Sequence, residues 1–244
     1  MTVVEAQDLQ IAGLAPMSTV DWPGKLVATV FTQGCPWACG YCHNHAIIDP
    51  QTPGIVPWDE VIALMKRRRG LLDGVVFSGG EATRQAALIQ AAAEIKRMGF
   101  KVGLHTAGPY PRRLEQLLGS GLIDWVGMDV KATVSNYPSV VGRANSGEKA
   151  FESLKILLDA VAASGGDLEY EIRLTAFPSS PGVELEVARL CLEAGVKTFA
   201  LQQARSEGAP EDFQADMPGW QDQFDALARD VEALGFEDLI VRRA

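Results

Sequence analysis

Residues 26–44 read Leu26-Val-Ala-Thr-Val-Phe31-Thr-Gln-Gly-Cys35-Pro-Trp-Ala-Cys39-Gly-Tyr-Cys42-His-Asn44. An apolar run of strand length, Leu26 to Phe31, leads into three cysteines in a C-x3-C-x2-C pattern, and the chain of 244 residues holds only one more, Cys191. Closely set thiols beside a single distant one suit metal chemistry and do not make a disulfide framework. Three thiolates from one short loop can hold three irons of a cubane cluster, leaving the fourth iron without a protein ligand and open to another molecule. The spacing also permits zinc, with Cys35, Cys39, Cys42 and His45 as a tetrahedral set stapling a binding module. A staple is least needed where a large core is available.

Outward from this stretch, further strand-length apolar runs occur at Gly74 to Phe77, Val102 to His105, Ile123 to Met128, Tyr170 to Thr175, Val196 to Leu201 and Leu239 to Val241. Helical periodicity lies between them: Val61, Leu64 and Met65 share one face, Leu88, Ala92 and Ile95 another, and Phe151, Leu154, Leu158 and Val161 a third. Val187, Leu190, Cys191 and Ala194 mark a later helix, Phe224, Leu227, Val231 and Leu234 the last, and Arg112 to Leu118 a shorter one. Strand then helix, about six times over, predicts an α/β fold with a parallel sheet and outer helices. A closed or nearly closed barrel is its natural product; an open doubly wound sheet would read the same. No Pro/Gly/Ser-rich linker divides the chain, so one domain over 1–244 is predicted, with 1–20 as an N-terminal extension. Cys191 falls on an apolar stripe and reads as core.

Polar residues gather where each strand ends. After the cysteine loop come Ser78-Gly79-Gly80-Glu81, then His105 and Thr106, Asp129 and Lys131, Arg173 and Thr175, and Gln202 and Gln203. In an α/β barrel such positions converge on one face, so six places build one site. Gly79 and Gly80 would let a ligand approach the backbone closely, with the Glu81 carboxylate beside them. Each group has a plainer reading on its own: a Gly-Gly turn ahead of a helix, a surface Asp-Lys pair, an Arg173 pairing across the sheet.

Composition bounds the function classes. With 47% hydrophobic and 22% charged residues the chain reads as globular, and a net charge of −9 argues against a non-specific nucleic-acid surface. No apolar run reaches the roughly 18 residues that span a bilayer. The Met1 to Ala15 segment carries Glu5 and Asp8 and lacks the basic and apolar regions of a secretory signal, so a cytoplasmic location without membrane contact is expected. Lys66-Arg67-Arg68-Arg69 falls in the last turn of a predicted helix before Gly70, where cations complement the helix dipole; a docking patch for an acidic partner is the alternative.

A C-x3-C-x2-C loop after the first barrel strand and a Gly-Gly-Glu after the second resemble the radical S-adenosylmethionine superfamily. Asp21-Trp-Pro-Gly24, Phe31-Thr-Gln-Gly-Cys35 and Tyr41-Cys42-His43-Asn44 resemble the activating enzymes of glycyl-radical enzymes within it, chiefly the anaerobic ribonucleoside-triphosphate reductase activators, with pyruvate formate-lyase activators as relatives. The resemblance implies a partial (β/α)6 TIM-like barrel and a [4Fe-4S] cluster on Cys35, Cys39 and Cys42, with S-adenosylmethionine bound through its amino and carboxylate groups to the unique iron. It implies that Ser78, Gly79, Gly80 and Glu81 hold the methionine amino group and that Tyr41 and His43 lie near the adenine. Asp129 and Lys131 would contact ribose and methionine, with Thr106 and Arg173 as further cofactor contacts. The implied partners are a glycyl-radical enzyme and a low-potential electron donor such as flavodoxin or ferredoxin. A small-molecule substrate, as in 7-carboxy-7-deazaguanine synthase, is the alternative within the superfamily. Two features depart from the pattern: Ala82 stands where Gly-Gly-Glu is often followed by Pro, and the chain is longer than the short reductase activators.

Overall fold

The computed structural model describes residues 3–178, 180 and 182–244. Eight strands follow one another across a single sheet in chain order. β1 (Ile11–Ser18) runs antiparallel to β2 (Val27–Thr32). From β2 through β3 (Gly74–Gly79), β4 (Lys101–Thr106), β5 (Trp125–Asp129), β6 (Glu169–Ala176), β7 (Thr198–Gln203) and β8 (Asp238–Arg242) every neighbouring pair is parallel. Among the described residues β1 and β8 do not pair, so the barrel is partial and open between them.

The parallel strands need crossovers, and the amphipathic segments supply them: α1 (Trp58–Arg67), α2 (Leu88–Arg97), α3 (Pro111–Gly119), α4 (Tyr137–Val141) with α5 (Ser146–Ala163), α6 (Glu184–Glu193) and α7 (Trp220–Glu232). Alternation along the strands then makes two cores. Val75, Phe77, Val102 and Leu104 face the helices in the large outer core, which also takes Cys191, fully buried as expected. Val27 and Val76 point inward and form a separate cluster with Trp22 and Trp125, whose rings stack at 5.5 Å. Trp22 belongs to the β1–β2 connection and packs against the first residues of β2 and β5, so it plugs the barrel at the strands' N-terminal end.

The seven predicted strands are β2 to β8, and the six strand-helix units follow the expected order. Segment 1–20, read from sequence as an extension, instead contributes β1, with a register shift between Ala15 and Ser18 around Pro16. An edge strand tolerates proline where a central one does not. α4 also escaped the periodicity, being shorter than two turns. The basic run ends α1 as anticipated, with Gly70 at φ +81° beyond it.

Candidate active site

The cysteine loop leaves β2 on a stitched base. The Gly34 and Cys35 amides donate to the Ile47 and Ile48 carbonyls, both at 2.9 Å. The buried Gln33 side-chain amide donates to Ile47 O and Asp49 O at 3.2 and 2.8 Å. At the tip, Ala38 N reaches Val141 O at 3.0 Å. None of the cysteines is in a disulfide; Cys39 is buried, Cys35 and Cys42 half-buried. Burial, with the nearby Glu81 charge, pushes the Cys35 thiol up to about 12, and burial raises Cys39 and Cys42 as well. All three are therefore protonated at neutral pH until a metal displaces the proton.

The second loop is tied to the first. Asn44 Nδ2 donates to Gly79 O at 2.9 Å, Gly80 N to Thr32 O at 2.9 Å and Glu81 N to Gly34 O at 3.0 Å. Gly79 has φ +107°, and a Cβ there would lie 2.3 Å from Thr32 N; one on Gly80 would lie 2.4 Å from Gly34 O. On the side a Cβ would occupy, these glycines permit the close approach of the β2 backbone and the cysteine-loop base, while both also line the cavity described below. Glu81 is 2% exposed, and its carboxylate accepts from Thr83 N, Thr83 Oγ1, Thr106 Oγ1 and Ala107 N at 3.1, 2.5, 2.7 and 3.0 Å. All four donors are neutral, no cation bonds to it among the described residues, and burial raises its pKa.

Opposite lies a compact charge group. Asp129 accepts from Arg173 Nε at 2.8 Å and Lys131 Nζ at 3.1 Å, and the three side chains are 24%, 13% and 10% exposed. Burial alone would raise Asp129, but Arg173 and Lys131 outweigh it and hold the carboxylate well below its usual range. Burial would lower Lys131, and Asp129 overrides it in turn. Lys131 Nζ stands 5.4 Å over the Tyr41 ring, which packs on Phe177 at 4.5 Å. The Tyr41 hydroxyl is buried without a hydrogen-bond partner among the described residues. His43 accepts at Nε2 from Arg205 N at 3.1 Å, and burial lowers its pKa.

Every expected site residue lines one cavity of about 350 Å³ at the strands' C-terminal end. Residues not assigned a role from sequence also face it: Asp21, Asn44, His105, Thr175, Gln202 and Arg205. Gln202 donates to Thr175 Oγ1 at 2.9 Å, whereas Gln203 turns away to accept from Ala244 N. His105 Nε2 lies 2.7 Å from the Asp21 carbonyl, which only accepts, so Nε2 carries the proton and Nδ1 accepts from Ser78 Oγ at 3.0 Å. Burial and Arg173 lower His105 to about 3, consistent with this neutral tautomer. The signals for these residues were Asp21 in the Asp-Trp-Pro-Gly stretch and strand-end polar residues pointing inward. His45, needed by the zinc alternative, is exposed and does not line the cavity. Among the described residues no three His, Cys, Asp or Glu side chains stand together as a site for one metal ion.

A family profile described as the Radical SAM superfamily matches residues 29–168. A protein of Methanocaldococcus jannaschii named as a glycyl-radical enzyme activating enzyme is 32% identical over 153 residues, 61% of each chain. The pyruvate formate-lyase-activating enzyme of Clostridium pasteurianum is 30% identical over 144 residues, 57% of this chain and 59% of that one. The chain thus matches about three fifths of the length of these relatives. Among solved structures, a radical SAM methyltransferase from Sphaerobacter thermophilus superposes with TM-score 0.65 at 16% identity, covering 91% of this chain and 67% of its own. Streptococcus suis SuiB bound to S-adenosylmethionine gives TM-score 0.62 at 11% identity, covering 87% and 48%. At those identities the likeness is one of fold.

Proposed function

The chain belongs to the Radical SAM superfamily, and from that premise we propose that it is an oxidoreductase that installs a glycyl radical on a partner enzyme, anaerobic ribonucleoside-triphosphate reductase. The cofactors of the superfamily are a [4Fe-4S] cluster and S-adenosylmethionine. When bound, they would supply one-electron reductive cleavage of the sulfonium and hydrogen-atom abstraction from the target. The named relatives support the activating role. Asp21-Trp-Pro-Gly24 and the Cys42-His43-Asn44 ending support the choice of a protein substrate.

The observation that carries this reading is that the three thiols, the Ser78–Glu81 turn and the Asp129–Lys131–Arg173 group face one cavity. The donor set fits a cluster held on one side: Cys35, Cys39 and Cys42 would each ligate one iron. Charge then fits the zwitterionic end of S-adenosylmethionine. Glu81, a buried carboxyl with no cation among its described partners, would receive the amino group at the edge formed by Ser78, Gly79 and Gly80. Asp129, Lys131 and Arg173 together carry one net positive charge and would take the carboxylate and ribose. Thr106 fixes the Glu81 carboxylate. Tyr41, with a buried hydroxyl that has no partner among the described residues, and His43 would border the adenine. No side chain is required as acid or base; these residues orient the cofactor and exclude water, so the radical meets its target first.

The test is anaerobic reconstitution, reduction and incubation with S-adenosylmethionine and the candidate partner, followed by paramagnetic resonance. A glycyl-radical signal on the reductase supports the proposal. A signal on pyruvate formate-lyase alone would replace the partner, and none on either, with cofactor cleavage intact, would favour a small-molecule substrate.

A further inference from the structure

His105 lines the cavity beside Ser78, and the Asp21-Trp22-Pro23-Gly24 turn holds its ring. Nε2 stands 2.7 Å from the Asp21 carbonyl, and the ring meets Trp125, the stacking partner of Trp22, edge-on at 5.5 Å. Asp21 is itself fixed: Thr29 Oγ1 donates to its Oδ2 at 2.6 Å, and its own amide donates to Ser18 Oγ at 3.3 Å. Trp22 lies so close to β4 that a Cβ on Gly103, which shares the His105 face of that strand, would stand 2.9 Å from the indole. The turn therefore sets both where the imidazole sits and which way it faces.

The direction of each proton follows from the Asp21 carbonyl. A carbonyl oxygen only accepts, so His105 Nε2 carries the hydrogen and Nδ1 keeps its lone pair. Ser78 Oγ, 3.0 Å from Nδ1, then spends its single proton on that lone pair. What remains on Oγ is acceptor capacity and no donor. Ser78 is 8% exposed and borders the edge where Gly79, Gly80 and Glu81 would receive the methionine amino group. An oxygen that can only accept suits a cationic N–H donor and disfavours a carboxylate, whereas Lys131 and Arg173 offer only donors and suit the reverse. The two ends of a zwitterion are told apart in this way, by a favourable contact in one orientation and an unfavourable one in the other.

We propose that His105, aimed by the Asp21 carbonyl, is a positioning residue that holds the Ser78 hydroxyl as an acceptor for the ammonium of S-adenosylmethionine and so sets the orientation of the cofactor's amino-acid end; this rests on the cofactor reading above. His105 acts through Ser78 and transfers no proton.

The test measures binding of S-adenosylmethionine and of its desamino analogue to the anaerobically reconstituted, oxidised protein by calorimetry, for wild type, Ser78→Ala, His105→Gln, His105→Asn and Ser78→Ala/His105→Gln. Glutamine places its amide near the Nε2 position, where it still meets Asp21 O but leaves Ser78 without its acceptor; asparagine places an amide oxygen near the Nδ1 position and keeps that acceptor. Ser78→Ala and His105→Gln should each weaken S-adenosylmethionine roughly tenfold and the analogue far less. The double variant should bind no more weakly than either single one, because both remove the same contact. His105→Asn should bind nearly as the wild type does. A second readout needs no cofactor: the imidazole nitrogen resonances of the unloaded protein should show Nε2 protonated and Nδ1 bare. Additive losses, an equal loss for the analogue, a His105→Asn protein as weak as His105→Gln, or a protonated Nδ1 would each overturn the proposal. A wild type that holds about four irons per chain and binds no S-adenosylmethionine would strike the cofactor reading itself, a failure that the nitrogen resonances keep separate.

Discussion

Asp129 is the residue on which the charge balance of the cavity turns. It neutralises one of two cations that are otherwise nearly buried, Lys131 and Arg173. Asp129→Asn should leave both cations facing an amide and destabilise the fold by about 3 kcal/mol at neutral pH, read from urea unfolding. His105 tests the tautomer assignment. Its folded pKa is depressed to about 3, so its contribution to stability is complete above the unfolded value near 6.5 and is lost as pH falls toward 3. His43 is shifted the same way and adds to the same window. The urea midpoint should therefore drop between pH 7 and pH 5, and drop less in His105→Gln; an identical pH profile in that variant would mean His105 is not held neutral. Which residues would gather was legible in the sequence, because each lies on a strand or just after one. How they pair was not: nothing in the spacing distinguishes Arg173 bridging to Asp129 from Arg173 pairing elsewhere across the sheet.

At the scale of elements, the Ser78–Glu81 turn shows a structural duty that the motif alone does not reveal. Gly-Gly suggests ligand access, and both glycines line the cavity; the space a Cβ would take beside each is filled by β2 and the cysteine-loop base. Gly79→Ala would force a Cβ onto Thr32 N at a positive φ, so a loss of about 2 to 4 kcal/mol in thermal or urea unfolding is expected. Because Asn44 and the Gly80 and Glu81 amides join the two loops, the same variant should also lower iron retention after reconstitution. A stable, fully loaded Gly79→Ala protein would show that the turn does not support the cysteine loop. The central strands were readable from continuous apolar runs, as buried parallel strands are. β1 was not, since Gly13 and Pro16 interrupt it and its pairing is set by β2 and not by its own pattern.

For the whole molecule, order and handedness follow from strand-helix repetition, but closure does not, because open and closed sheets share the same periodicity. The open edge is braced from inside: Arg242 on β8 reaches across to Glu171 on β6 with bonds of 2.8 and 2.7 Å, and Glu171 is 2% exposed. Arg242→Ala should leave that carboxylate buried and unpaired, costing about 3 kcal/mol and loosening β8 selectively, visible as faster amide exchange over Asp238–Arg242 than in the middle strands. Uniform exchange across the sheet would show that the ion pair does not brace the edge. The trait joining all scales is convergence of the strand ends on one cavity beside a three-thiol loop. The most direct test reduces the anaerobically reconstituted protein with dithionite, adds S-adenosylmethionine with and without the partner, and quantifies 5′-deoxyadenosine for wild type and Cys39→Ala. Formation by the wild type and none by a folded Cys39→Ala is predicted. No 5′-deoxyadenosine from protein holding about four irons per chain, even with the partner present, or undiminished formation by Cys39→Ala, would contradict it.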